Sequence, residues 1–251
     1  KDLDTIFGKD RIIDTPVSES AVTGMAVGAS LSGAKPIVVH PRIDFMLYAM
    51  DPIVNQAAKW SHMTGGQAHP AVTIRGIINR GGEQGAQHSQ SLHSWFSHIP
   101  GLRLLMPSTV SDARDMLIAA TLSKDPVIYI DDRWLYDIED HIDPIKEMDL
   151  SEFNPQILKE GKDITLVGSS YSTKLALEVR DLLKSIEISA EVVDVRTLNP
   201  FNPKKIIDSV IKTRRLVAID GGWKNSGFSA EIIASVTEKN SEAFISPPVR
   251  I

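Results

Sequence analysis

The 251-residue chain has no cysteine, which excludes disulfides, thiolate nucleophiles and Cys-ligated zinc and leaves no need for an oxidising compartment. It also lacks a basic surplus. Lys and Arg number 27 against 32 Asp and Glu, a net charge of −5, so nothing favours tracking a phosphate backbone or lying on an anionic bilayer. Nucleic-acid and membrane partners are not expected. The uncharged stretch Ser20–Ala34 is too short, and too rich in Gly, Ser and Thr, to span about 30 Å of hydrocarbon. Lys1, Asp2 and Asp4 are followed by no apolar core, so the start does not read as a signal peptide, and without an initiator Met the chain reads as trimmed. A cytosolic or organellar location fits. The P-loop pattern, HExxH, GxSxG and an EF-hand loop are missing too, which removes the usual anchors of nucleotide hydrolysis, zinc proteolysis and serine hydrolysis.

What is present is an ordinary globular composition, 42% hydrophobic and 24% charged, at a length that suits two domains. Brief runs rich in Ile, Val and Leu read as buried strands at Arg11–Asp14, Pro36–Val39, Val72–Ile74, Leu102–Met106 and Val127–Ile130. Helices fall between them. Ser18 offers an N-cap for the first, which Gly33 and Lys35-Pro36 end. A second runs from about Phe45 to Met63 with Pro52 as a kink or restart, and Ser108 caps a third. From Asp137 to Asp163 Asp, Glu and Pro replace the apolar runs, which reads as an interdomain linker. Beyond it the alternation resumes: strand Ile164–Val167, helix Lys174–Ile186, strand Ala190–Val195, helix Pro203–Ile211, strand Leu216–Asp220, helix Phe228–Val236. The pattern predicts an α/β chain of two three-layer αβα domains with mainly parallel sheets.

Six of the seven histidines lie between His40 and His98, but the spacing of five among His88, His93 and His98 turns successive side chains off one helical face. No carboxylate lies between Glu83 and Asp112 to complete a metal site. The loop Gly81-Gly82-Glu83-Gln84-Gly85 does not match GxGxxG. It is either a surface loop or a glycine-permitted bend that brings Gln87-His88-Ser89 to a ligand. Glu19 is open to two readings: an acid in a first helical turn that meets the macrodipole, or a group presented where α/β sheets bind ligands. Phe45 is either core filler or a stacking platform for a planar ring.

Several ordered motifs then carry a resemblance. Asp14-Thr15-Pro16-Val17-Ser18-Glu19, Val54-Asn55-Gln56-Ala57-Ala58-Lys59, Ala86-Gln87-His88-Ser89-Gln90-Ser91 and His98-Ile99-Pro100-Gly101-Leu102 resemble the β subunit of the thiamine-diphosphate-dependent 2-oxo acid dehydrogenase decarboxylases. Asp194-Val195-Arg196-Thr197-Leu198-Asn199-Pro200 and Ile219-Asp220-Gly221-Gly222-Trp223 resemble the transketolase-type C-terminal domain that follows it.

The resemblance implies an N-terminally truncated pyrimidine-binding domain over 1–140, a linker over 141–160 and a C-terminally truncated transketolase-type domain over 161–251. It implies oxidative decarboxylation of a 2-oxo acid with acyl transfer to lipoamide, in the cytoplasm or the mitochondrial matrix. Thiamine diphosphate is shared with an α subunit, which binds Mg²⁺. The partners implied are that α subunit in a two-α, two-β heterotetramer, a lipoyl acyltransferase core and a second copy of this chain. By the same resemblance Glu19 is catalytic and cofactor-binding, bonded to a pyrimidine ring nitrogen; Phe45 lies against the pyrimidine face; His88 is catalytic on the substrate side; His98 is structural. In the family the α chain carries the diphosphate and Mg²⁺ motif, a Gly-Asp-Gly followed at a distance by Asn; no Gly-Asp dipeptide occurs in this sequence, so the resemblance implies that this half comes from a partner. His40-Pro41-Arg42-Ile43 and Asp51-Pro52 depart from the family pattern and leave the 2-oxo acid open. An acetoin- or transketolase-type thiamine enzyme subunit, or a noncatalytic scaffold, are the alternatives.

Overall fold

The computed structural model describes residues 2–79 and 84–251. In the first half α1 (Leu3–Phe7) and α2 (Glu19–Leu31) precede β1 (Ile37–His40), followed by α3 (Trp60–Met63), β2 (Thr73–Ile78), α4 (His93–Ser97), β3 (Arg103–Leu105), α5 (Val110–Leu122) and β4 (Val127–Asp132). The second half adds β5 (Gln156–Lys159), β6 (Ile164–Gly168), α6 (Tyr171–Lys184), β7 (Ala190–Asp194), β8 (Thr197–Asn199), α7 (Lys204–Thr213), β9 (Leu216–Ala218), α8 (Phe228–Lys239) and β10 (Val249–Arg250). Two five-stranded sheets result, in the orders β1-β2-β4-β3-β8 and β10-β9-β6-β7-β5. All pairings are parallel except those of β8 with β3 and β5 with β7. This is the α/β class that the alternation predicts.

β4 is buried along its whole length, as a strand covered on both faces must be. Each of its fully buried Val and Ile side chains contributes about 1.5–3 kcal/mol. The core that contains Ile128 and Ile130 runs without a break to Val193, Ile206 and Phe228 of the second half. β8 extends the first sheet although it lies in the second half of the chain, so the halves share hydrogen bonds as well as apolar contacts.

Several expectations change. Arg11–Asp14 is irregular chain rather than a strand; Ile13 is exposed and no ladder pairs with this segment among the described residues. The stretch from Phe45 to Met63 is not one helix. A 3₁₀ helix covers Ile43–Ala49, a π-helical turn Asp51–Ala57, and α3 the end. Pro52 has no N–H to give the preceding turn, and the Ala58 N–H reaches the Ile53 carbonyl, five residues back, at 3.0 Å. Ser18 occupies the N-cap of α2 without a side-chain cap bond. Thr109, not Ser108, caps α5, its Oγ1 accepting from Asp112 N–H at 3.1 Å. Residues 156–159, inside the segment expected as linker, form β5, and the stretch before them is mostly irregular.

Candidate active site

The first sheet's parallel strands end their carboxyl termini along one edge, where open α/β sheets bind ligands. At β1 that edge is His40, whose Nε2 lies 3.2 Å from Thr23 Oγ1 one turn into α2. The contact ties the N-terminal turn of α2, which begins with the half-buried Glu19, to the end of β1. Burial pushes the His40 imidazole below its ordinary value, and the nearby Glu19 carboxylate opposes that shift. In the sequence His40 stands only as a departure from the family pattern, and its proximity to Glu19 leaves no local signal.

After β1 the chain turns back over the sheet. A Cβ at Gly76 in β2 would lie 2.4 Å from Met46 Sδ and 3.5 Å from Ile43 Cα, so the glycine lets the 43–46 turn approach closely. The turn carries Phe45, whose ring meets that of His88 edge to face, centroids 5.2 Å apart at 89°. Both residues are half-buried. The structure therefore brings Phe45 and His88 together, with Glu19 on the same sheet edge through His40. Of the glycine-rich loop, residues 81–83 lie outside the described residues. Its described end, Gln84, accepts from Arg42 Nε at 3.0 Å and from the guanidinium nitrogen Nη2 at 2.5 Å.

Other site-proximal groups escaped the sequence reading. Asp44 is buried and its Oδ1 accepts from the Gln90 N–H at 3.2 Å and from Gln90 Nε2 at 2.8 Å. His93 is buried between the halves: Ser91 Oγ lies 3.1 Å from its Nδ1, and Asp220 Oδ1 lies 2.9 Å from its Nε2. Burial pushes the Asp220 carboxyl up, but the His93 ring and the N–H groups of Gly222 and Ser229 outweigh it and hold the acid below the ordinary carboxylate range. His98, expected to be structural, ends α4 and is exposed.

The motif that begins at Asp194 is a junction between the halves. Arg196, at φ 62°, makes a two-pronged ion pair with Asp112 at 2.6 and 2.9 Å. Asp194 accepts from Thr173 Oγ1 at 2.9 Å and from Ser108 Oγ of the first half. Burial pushes Asp194 up to about 7, with Asp112 adding to the rise and the two hydroxyls and Arg196 opposing it. A cleft of about 440 Å³ beside α5 and the end of β4 contains none of Glu19, Phe45 or His88. Its Arg75, Asp131 and Tyr136 bond to one another. Among the described residues no group of three His, Asp or Glu is placed to hold a metal ion, and no helix is long and apolar enough to cross a membrane.

Known proteins resemble this chain along nearly its whole length. A family model of the transketolase pyrimidine-binding domain matches residues 1–137, and one of the transketolase C-terminal domain matches residues 154–251. The pyruvate dehydrogenase E1 component subunit beta of Rickettsia bellii is 39% identical over 249 residues, 98% of this chain and 75% of that protein. The mitochondrial beta-2 subunit of the same name from Oryza sativa subsp. japonica is 38% identical over 98% of this chain and 66% of its own length. The mitochondrial beta subunit of Dictyostelium discoideum is 35% identical over 98% of this chain and 70% of its own. A solved structure described as a split gene transketolase, inactive beta4 tetramer, is similar with a TM-score of 0.80 over all of this chain and 79% of that one; at 22% identity it bears on the fold alone. Two transketolase models in succession, and 35–39% identity to these relatives along nearly the whole chain, make this protein a member of the transketolase-like 2-oxo acid dehydrogenase family, on the side of its decarboxylase β subunits.

Proposed function

We propose that this chain supplies the pyrimidine-binding, substrate-facing half of each active site of a 2-oxo acid decarboxylase, and that an α subunit supplies the diphosphate and Mg²⁺ half. The observation that carries the reading is the edge-to-face contact of Phe45 with His88 on the sheet edge that also presents Glu19. The residues present fit thiamine diphosphate at its pyrimidine end. A half-buried aromatic ring keeps surface for a planar heterocycle, and a half-buried carboxyl at a helix N-terminus can meet a ring nitrogen. The charged end of the cofactor is what the chain leaves to a partner, having neither a Gly-Asp dipeptide nor, among the described residues, a metal-holding cluster.

When bound, thiamine diphosphate supplies a nucleophilic thiazolium carbon and an electron sink for the pair left behind by carbon dioxide. Glu19 holds a proton at the pyrimidine nitrogen and returns it, which is general acid–base work. Phe45 fixes the plane of the ring. His88 donates a proton on the substrate side, at the carbonyl oxygen of the 2-oxo acid or at a lipoyl sulfur. Exposed Met25, Tyr48, Met63 and Trp95 offer apolar surface for α and for a second β chain in a two-α, two-β assembly. Acyl transfer would follow to the lipoyl disulfide of an acyltransferase core, which would accept the two electrons as its S–S bond opens, one sulfur taking the acyl group and the other a proton. The test is reconstitution with an α chain bearing the Gly-Asp-Gly motif, assayed for carbon dioxide release from a panel of 2-oxo acids with an artificial electron acceptor. Release by the mixture and by neither chain alone is expected; no release from any 2-oxo acid by a well-formed complex would overturn the reading.

A further inference from the structure

The segment that carries Phe45 also grips the loop that carries His88 on both sides of the histidine. Upstream, Arg42 donates two N–H groups to Gln84 Oε1. Downstream, Asp44 takes both the backbone N–H and the side-chain amide of Gln90 on one oxygen. Between them His88 meets Phe45. These contacts, 42 with 84, 45 with 88 and 44 with 90, hold the start of the 3₁₀ helix and the histidine loop together.

Asp44 is the unusual member. It is only 5% exposed, and among the described residues its buried Oδ2 has no hydrogen-bond partner and no cation pairs with it. Keeping a carboxylate there is costly. Its return is that both contacts to Gln90 are charge-assisted, about twice as strong as those of a neutral acceptor.

We propose that Asp44 is a positioning residue, which sets His88 against Phe45 and the substrate by clamping Gln90. The inference rests on the role given to His88 above. In a site of this kind a displacement of about 1 Å costs roughly a hundredfold in rate. Asp44→Ala in the reconstituted complex is therefore expected to lower kcat about a hundredfold with cofactor binding unchanged. Asp44→Asn, which keeps an acceptor oxygen, should stay within about tenfold of the parent. Because Asp44 acts through His88, Asp44→Ala added to His88→Ala should cost nothing more.

A readout independent of turnover is amide hydrogen exchange at Gln90 in this chain alone, expected to accelerate at least about tenfold in Asp44→Ala. Should Asp44→Ala fail to fold, Gln90→Ala decides. Its side chain is exposed and it removes one of the two contacts; a kcat loss that disappears in the His88→Ala background supports the proposal. Additive losses with His88→Ala, or unchanged exchange at Gln90 in a folded Asp44→Ala protein, overturn it. If the parent complex turns over no 2-oxo acid, the assigned function fails while the exchange experiment still judges the clamp.

Discussion

Glu19 sits where two different physical roles are open to a carboxylate, and they differ in what an amide can replace. As an acid in the first turn of α2 it meets the positive end of the helix dipole, a contribution below about 1 kcal/mol. As a proton carrier for a ring nitrogen it contributes about 10²–10⁴ in rate. Glu19→Gln keeps a hydrogen bond but cannot exchange the proton. We expect a folded variant in which deuterium exchange at the cofactor's thiazolium carbon slows by that larger factor; an exchange rate equal to the parent's would leave Glu19 with the helix role only. His88 stands out in the sequence because it lies in a short motif that survives as a string, and Phe45 only through the place the resemblance gives it. The contacts of Asp44, Gln90 and His93 were not legible, although Gln90 shares the motif of His88. The Asp44–Gln90 bond spans 46 residues, and a pairing at that distance leaves no periodicity or spacing to read. His93 shows the same limit: only the folded chain brings it to Asp220 of the other half.

Elements were read best where a single period ruled them. The fully buried β4 and the helix α6 emerged within two or three residues of their observed limits, since burial on both strand faces and one apolar helical stripe are local patterns. The 45–63 segment defeated that approach because Pro52 and the close approach at Gly76 divide it into three kinds of turn. Gly101, between α4 and β3, makes a testable case of the same packing. Its φ is 98°, and a Cβ there would lie 2.0 Å from the Ala58 carbonyl oxygen, against backbone that cannot rotate away. Gly101→Ala is expected to destabilise the chain by about 1–3 kcal/mol or more. Urea unfolding reads this as a lower midpoint, and an unchanged midpoint would contradict the packing described.

At the scale of the whole molecule the two halves are joined by apolar core, by β8 and by the acids and hydroxyls around Asp194. The neutral form of Asp194 is favoured in the folded chain, with a value of about 7 against an ordinary 3.8. A raised value contributes stability that is complete below about pH 4, declines as pH rises toward about 7, and is lost above it, with a slope of up to about 1.4 kcal/mol per pH unit. Asp220 acts in the opposite sense, its contribution being lost only as pH falls below the ordinary carboxylate range. Asp194→Asn should therefore shrink the difference in Tm between pH 5 and pH 7.5, and an undiminished difference would assign that pH dependence elsewhere. The junction motif was visible in the sequence as a family signature, while its physical purpose, a buried acid shared with Ser108 and Thr173, came only from the fold. The central claim is that this chain holds the pyrimidine end of a cofactor whose diphosphate end belongs to another subunit, and titration calorimetry with thiamine diphosphate and Mg²⁺ tests it most directly. The account predicts no tight binding to this chain alone and strong binding once the α subunit is present; submicromolar binding by the isolated chain would contradict it.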